Sequence, residues 1–599
     1  MRQNSSLFIF CLALLSALAL PACDGRKFFG ASKNGESLTG PALIELNLSK
    51  GVAEKGASTL FGPIPGTSHA DLVDTIVNLD KDTKGVFVRL GSTHVGFATA
   101  SEIGRLLKAV RDRGVTVTCH ADGLDNSTLL LASLACSEIW ISPAGGVDSV
   151  GIAFSLMFGK EVLEKLGVGV DFLQVGKYKG AQEPYTRNEP SPEARESLEE
   201  TLRDLRNAWV EGVVEGRGKP VEPAMEDGPY TPKAAKEIGL IDSVGYVDEA
   251  RDHAKEALGL GRTQVVFGGN PQEEGAGVAG LLRSVSGGAS ESVEHVAVLR
   301  ATGAITMGGG GGLFGGDDGI TESGLGKTIT QLTEDDNVKA VVLRIDSPGG
   351  SALASDLLWH KLMKLRAKKP LIVSVGGMAA SGGYYLACSG DRIFAESTSI
   401  VGSIGVVAGK FALHDPLAKV GIHTVTLPAA KDPLRAKRAS YLSPFDSWDD
   451  ATRAKVLTGM TAIYDTFIER IVEGRGLDAE TVKRGAEGRI SGGVTAKERK
   501  LVDEIGGLDD AIRYAKEKAG LPADAKARVR GQPGGLMEML AGDQEAAARA
   551  AERAEAAVDP FQKLAAELPQ EARDWWQSAR PMSEGEVMIT AMPFVLIAR

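Results

Sequence analysis

The sequence predicts an α/β protein of two tandem domains that arose by internal duplication, and three observations carry that prediction. Short β-branched and aliphatic runs, "HVAVLR" (295–300), "AVVLRI" (340–345) and "LIVSV" (371–375), alternate with stretches of helical periodicity, the pattern of a largely parallel sheet covered by crossover helices. Segments of the first half return in the second: "VFVRLGS" (86–92) as "VVLRIDS" (341–347), "VVEGRG" (213–218) as "IVEGRG" (471–476), and "GLIDSVG" (239–245) as "KLVDEIG" (500–506). The offset between copies drifts only from 254 to 261 residues, a period of domain size rather than that of a solenoid.

In chain order, residues 1–22 read as a signal peptide. One arginine precedes the apolar stretch "LFIFCLALLSALAL", and "LPAC" ends it at Cys23. This has the look of a bacterial lipobox, with cleavage before Cys23 and lipidation of its thiol. Pro21 is unusual in such a motif, so ordinary cleavage nearby and an uncleaved signal anchor remain open. Each alternative places the bulk of the chain outside the cytoplasm. Asp24 resembles an inner-membrane retention signal, which points to the periplasmic side of a bacterial inner membrane. Residues 23–40 form a tether and 41–260 the first domain, with a long helix near 193–216 begun by Ser-Pro. Residues 261–292 read as a Gly/Ser/Glu-rich connection and 293–540 as the second domain. Within that domain, the glycine tract at 308–318 reads as a loop, and a helix near 449–474 is announced by "SPFDSW". Residues 541–599 are an extension: an Ala-rich helix (543–558), then "MITAMPFVLIAR" (588–599) as a terminal strand or docking segment.

Composition narrows the function classes. A formal net charge of −11 opposes a nucleic-acid partner, which needs clustered Lys and Arg. No complete P-loop pattern, G-x-x-x-x-G-K-[ST], occurs among the 74 glycines. Cys119, Cys136 and Cys388, the cysteines that follow Cys23, read as buried small apolar residues. No C-x-x-C or Cys/His spacing predicts a metal, and no cofactor is expected.

The candidate chemistry lies in "MAASGGYYLA" (378–387), where Ser381 is followed by Gly382 and Gly383. Its counterpart, "LDNSTLLLAS" (124–133), aligns Ser127 with Ser381 but lacks the glycines. "DSPGG" (346–350) likewise faces only "GSTHV" (91–95). Small residues let a substrate backbone approach a nucleophile, and the N–H groups of Gly350 and Gly382 would form an oxyanion hole. Taken singly, each segment is equally well a strand-to-helix turn; the loss of both from one copy favours a site. A serine needs a base. No histidine lies in a triad setting, and the position 25 residues beyond Ser381 is Val406. A lysine can serve if it is held neutral.

With "DSPGG", "ASGGYY" (380–385) and "TSIVGSIGV" (398–406) in the second copy, and "VGKYKGAQEPYTRNEPSPEARE" (175–196) in the first, the chain resembles the signal peptide peptidase A (protease IV) family in its long, duplicated form. The resemblance implies two Clp/crotonase-like domains, each a spiral of ββα units. It also implies a Ser-Lys serine protease that degrades cleaved signal peptides and other apolar peptides, tethered to the membrane by its N-terminal lipid or anchor. Members of the long form assemble as tetramers. Carried over, Ser381 is the nucleophile, Lys179 the general base and Ser403 the lysine's partner. Lys431 is a rival base, because single-copy members place their lysine near there, and Lys177 is the surface member of its pair. A crotonase-like acyl-CoA enzyme and a non-enzymatic scaffold are the alternatives.

Overall fold

Aliphatic, β-branched segments become the interior strands, and the two halves arrange them in one pattern. The computed structural model describes residues 41–56, 67–269, 293–308 and 319–530, and the backbone of 58–59, 62–63 and 588–591. The first half supplies β1 (Leu43–Asn47), β2 (Gly85–Gly91), β3 (Thr116–Ala121), β4 (Glu138–Ile141), β5 (Gly169–Val175), β6 (Ser243–Val244) and β7 (Thr263–Phe267). Its helices include α1 (His69–Val77), α2 (Phe97–Asp112), α3 (Asn126–Ala135) and α4 (Pro192–Arg217). The parallel sheet runs β6-β4-β3-β2-β1-β7.

The second half supplies β8 (His295–Thr302), β9 (Ile305–Thr306), β10 (Ile320–Thr321), β11 (Val338–Ser347), β12 (Gly349–Ser351), β13 (Leu371–Ala380), β14 (Arg392–Ala395), β15 (Ile400–Gly402), β16 (Val406–Ala412), β17 (Ile490–Gly492), β18 (Glu504–Ile505) and β19 (Ala527–Arg530). Between them lie α5 (Ala352–Arg366), α6 (Gly382–Ala387), α7 (Asp450–Arg475) and α8 (Leu508–Lys518). The order β18-β14-β13-β11-β8-β19 repeats the first sheet strand for strand, and β15 and β17 extend it from the end of β13. The duplication read from sequence is therefore a duplication of topology.

Three expectations are corrected. The connection predicted from residue 261 begins later, because "TQVVF" forms β7 and pairs with β1. Helix α7 lies near 449–474 as expected, but its start is set by Asp449, whose carboxylate accepts the Thr452 N–H, and not by Ser443-Pro444. Cys119, on β3, and Cys136, just after α3, are buried as expected but joined as a disulfide, because strand and helix bring Cα atoms 17 residues apart to within 5.9 Å. Cys388 is free and buried. Helix α4 does begin on Ser-Pro: the Ser191 hydroxyl caps it, and Gly218 ends it in the left-handed region. The signal segment, Cys23, the tether and the Ala-rich stretch lie outside the described residues. So do the glycine tract beyond Gly308 and most of the connection to the second half. Among the described residues no helix is long and apolar enough to cross a membrane.

A third sheet joins the halves. Its order is β10-β9-β12-β20-β16-β5, where β20 (Met588–Ala591) is the terminal strand expected from the sequence. Strand β5 comes from the first half yet pairs antiparallel with β16 of the second along seven residues, from Val175 opposite Val406 to Gly169 opposite Ala412.

The halves also share a buried ionic cluster. Arg344 of β11 is 1% exposed; its guanidinium donates to Glu54 at 2.6 Å and to Glu102 of α2 at 3.0 Å, and His69 Nε2 lies 3.0 Å from Glu102. Removing one member of such a cluster strands the opposite charges away from water. Arg344→Ala is expected to cost about 3–5 kcal/mol, read as a fall in the thermal unfolding midpoint. An unchanged midpoint would show that water or rearrangement compensates these carboxylates.

Candidate active site

Strand β13 runs out at Ala380, and the chain turns sharply into α6. Ser381 caps that helix with φ +56° and ψ −114°, a conformation rare for a residue with a Cβ. The turn is held from all sides. The Ser381 N–H donates to the Gly402 carbonyl at 2.7 Å. Tyr384 Oη donates to the Leu501 carbonyl at 2.9 Å and Tyr385 Oη to Asp356 at 2.8 Å, so the two tyrosines of "ASGGYY" anchor the helix behind the serine. Asp346 accepts the Met378 N–H at 3.1 Å and steadies the strand entering the turn; burial and the neighbouring Glu54 push its pKa up to about 6.

Gly349 and Gly350 follow in β12 with φ +102° and +155°. A Cβ on Gly350 would fall 2.1 Å from the Ile305 carbonyl oxygen, so the strand can pass there only as glycine. A Cβ on Gly383 would lie 2.7 Å from the Ser347 oxygen, which shows how closely the first turn of α6 rests on the "DSPGG" turn. The structure thus brings Ser381, Gly382 and the Gly349-Gly350 turn into one place.

Lys179 reaches the same place from the first half. Its Nζ lies 2.7 Å from Ser381 Oγ, 2.8 Å from the Ser403 carbonyl oxygen and 3.0 Å from Ser403 Oγ. All three residues are 0% exposed. Burial alone drives the Lys179 amine well below an ordinary lysine, and no carboxylate forms a salt bridge with it among the described residues. A neutral amine has one lone pair and two N–H groups. The Ser403 carbonyl can only accept, so the geometry suits an amine that donates to Ser403 and accepts the Ser381 hydroxyl proton.

The second half builds the cradle for this lysine. Tyr178 N–H donates to the Glu487 carbonyl, and Ser403 N–H to that of Arg489. The Arg489 guanidinium lies 3.6 Å from the Tyr178 ring centroid and pairs with Glu196 at 2.9 Å. Gly488 has φ +86°, and a Cβ there would sit 2.3 Å from Lys179 N. Sequence reasoning missed Gly488, Arg489 and the tyrosine anchors; "AEGRIS" (486–491) carried no feature beyond a glycine before a strand.

The remaining expectations separate cleanly. Lys431 is exposed just before the Pro433–Ala439 helix, and Lys177 is exposed over the Tyr178 ring. Val406 lies buried in β16, and among the described residues no histidine bonds Ser381. In the first copy the helix cap is Asp125, whereas Ser127 stands inside α3 and donates to the Asp125 carboxylate at 2.9 Å. The aligned serine is therefore not in the cap position that Ser381 holds.

A paired-turn serine with a buried lysine, set in two repeated α/β units, defines a serine hydrolase of Clp-like architecture. The chain belongs to Peptidase family S49, whose model matches residues 109–261 and 363–522, and a Clp protease model matches residues 318–401. It is 30% identical over 469 residues to the chloroplastic serine protease SPPA of Arabidopsis thaliana, covering 77% of this chain and 67% of that one. It is 28% identical over 517 residues to Protease 4 of Haemophilus influenzae, covering 82% and 81%, and 28% identical over 523 residues to Protease 4 of Salmonella typhi, covering 82% and 80%. The protein is a serine protease.

Gly488→Ala is expected to push the Lys179 turn aside and lower kcat by roughly 100-fold, the scale of a ~1 Å misplacement, and to lower the thermal midpoint as well, because the new Cβ meets backbone at φ +86°. Steady-state peptide hydrolysis checks this, and a fully active variant would show that the cradle does not hold the lysine.

Proposed function

We propose that this serine protease is a Ser-Lys endopeptidase, tethered to the membrane, that degrades released signal peptides and other extended apolar peptides. The observation that carries the proposal is the 2.7 Å separation of Lys179 Nζ and Ser381 Oγ, in a site where no other base reaches the serine among the described residues. Ser381 Oγ attacks the scissile carbonyl while neutral Lys179 takes its proton. The ammonium formed is held by the Ser403 carbonyl and hydroxyl and protonates the leaving amine. Water, deprotonated by the same lysine, then releases the acyl group. The N–H groups of Gly350 and Gly382 stabilise the oxyanion.

Two features support the substrate class. The third sheet holds one extended strand, β20, between β12 and β16 by main-chain pairing on both sides, the kind of bonding that recognises an extended peptide whatever its side chains. Phe154, Leu156, Phe158 and Met378 pack against a buried cluster of Ala194, Leu198, Ala380, Ile400 and Ile490, and Ala380 is the residue before the serine, which gives this side of the site an apolar character. Lipid on Cys23, a place on the periplasmic side of a bacterial inner membrane and a tetrameric assembly complete the reading; these rest on the sequence and its resemblance.

Ser381→Ala and Lys179→Ala are expected to abolish peptide hydrolysis. Lys431→Ala and Ser127→Ala should retain most activity, and residues 293–540 expressed alone should be inactive. Activity of that fragment that depended on Lys431 would overturn the split site.

The pH dependence has a definite sign. Only the neutral amine accepts the serine proton, so kcat/KM should rise with pH through one ionisation set below that of an ordinary lysine. Histidine modification should leave the pH–rate profile in place; a profile that it abolished would assign the base elsewhere.

A further inference from the structure

We infer that the serine-less site of the first copy is a receptor for the spare lysine of another molecule of this chain: residues 423–429 of one molecule add as a strand beside residues 152–157 of the next, and Lys431 pairs with that molecule's Asp125. The contact rests on the geometry of the two repeats and not on the chemistry proposed for Ser381.

The repeats identify the arm. In the first copy the short helix Lys160–Leu166 ends at Gly167 with φ +80°, and β5 follows, pairs with β16 and leads into Lys179. In the second copy the helix His414–Lys419 is followed by Gly421 with φ +83°, and residues 423–429 stand where β5 stands in the first. Burial differs sharply between them. Asp171 and Phe172 of β5 are buried, whereas Val425 and Leu427 are 79% and 88% exposed. The exposed segment is nonetheless held in shape. Thr424 Oγ1 lies 2.9 Å from His414 Nδ1, and Thr426 Oγ1 donates to Asp446 at 2.9 Å. Among the described residues, 423–429 join no sheet. An anchored segment that shows aliphatic side chains outward is a template for pairing with another chain.

The first copy keeps the place that such an arm fills. Residues 152–157 align with 406–411 of β16, the strand that receives β5. Asp125 holds the helix-cap position of Ser381; its carboxylate lies 2.6 Å from His94 Nδ1 and is still 34% exposed, with room for a further cation. Ser149 aligns with Ser403 and is as deeply buried, and its hydroxyl reaches the Met225 sulfur at 3.8 Å, a long and weak contact. Glu226, 261 residues before Glu487, repeats its left-handed backbone, φ +69° against +63°. In the second copy that turn accepts the Tyr178 N–H beside the lysine. Such a backbone is strained for a residue with a Cβ, and the strain has a use where a lysine loop rests on it. The first copy's own Lys179 is committed to Ser381. Lys431 is exposed on its own chain, so arm and receptor meet only between molecules.

Charge and register agree with this pairing. Lys431, Arg435, Lys437 and Arg438 are exposed on the arm. Asp122 and Asp148 are exposed beside Asp125, tied by main-chain bonds to Gly91 and Leu124. Carrying over the β5–β16 register sets Val425 opposite Leu156 and Leu427 opposite Phe154 of the other molecule. Arm and receptor are different patches, so the contact is heterologous: each molecule receives one neighbour and docks on the next.

Sedimentation velocity of the purified full chain at micromolar concentration is the test, beside Leu427→Asp, Lys431→Asp and Asp125→Lys. The unaltered chain should assemble, and each arm variant should weaken self-association by roughly 30-fold or more. The thermal midpoints of isolated arm variants should not move, because both side chains are exposed in a single molecule. Lys431→Asp and Asp125→Lys chains should each fail to assemble alone and should assemble when mixed, since the mixture restores opposite charges at every contact. If Asp125→Lys does not fold, the two arm variants decide. A monomeric unaltered chain, or a Leu427→Asp chain that assembles as before, overturns the inference; assembly unmoved by Lys431→Asp overturns the pairing with Asp125. A monomeric chain whose Leu427 instead drives binding to phosphatidylglycerol vesicles would make the arm a membrane surface, and the inference falls. Peptide hydrolysis by the same samples reports separately on the Ser-Lys reading.

Discussion

The ladder between β5 and β16 is the interaction on which the site depends. It is the run of main-chain bonds that carries a first-half strand into a second-half sheet. Its register sets Val175 opposite Val406, and the chain then needs only Gly176–Tyr178 to deliver Lys179 beside Ser403. A slip of one residue would turn every side chain of β5 to the other face. That slip is opposed at both ends: Asp171 pairs with Arg453 and accepts the Trp448 N–H, while Tyr178 and Lys179 are wedged against Glu487–Arg489. The buried Arg344 cluster and the contacts of α4 with β17 clamp the same two halves elsewhere. The ladder and the Glu487–Arg489 cradle together set the lysine's depth.

A dry lysine costs stability, and the sign can be worked out. Its amine in the folded state ionises well below an ordinary lysine because it is buried. Between the lowered value and about 10.4 the unfolded chain binds one proton more than the folded chain. Stability therefore rises with pH across that window, and at neutral pH the site is a net burden on the fold. Ser381 adds backbone strain at φ +56°, and Ser403, at φ +54°, adds more. The surrounding core tolerates these costs because α6 is pinned by two buried tyrosines and backed by aliphatic strands on both sides. Strain and desolvation are concentrated where the chemistry is.

Much of this was legible in the sequence, for physical reasons. Strands buried on both faces write themselves as continuous aliphatic runs, so the repeated sheet could be seen before any coordinates. Glycines forced by close approach, such as Gly350 against Ile305, stand out because the other copy lost them. Ser381 was marked by the glycines that its copy alone kept, whereas Lys179 was reached through motif resemblance, since no pattern of spacing predicts a pair 202 residues apart. What stayed hidden was relational. The disulfide needs strand-to-helix geometry that two isolated cysteines do not announce. The cap at Asp125 displaces Ser127 by a local hydrogen-bond preference, which alignment by residue identity overlooks. Gly488 and Arg489 matter only through what they touch across the interface.

The order of the chain gives the ladder a temporal consequence. Lys179 and β5 are made first; the strand they must join, the serine and the Gly488 cradle all emerge later. A growing chain folds from its N-terminal side as it is made, so the first half waits with β5 unpartnered on its β16 side and a lysine that is still solvated and protonated. Lys179 and Ser381 come within bonding distance only when the last element of the cradle docks. On the proposed Ser-Lys reading, the division of the pair between repeats acts as a latency device: an incomplete or misfolded copy of this protease is a harmless one.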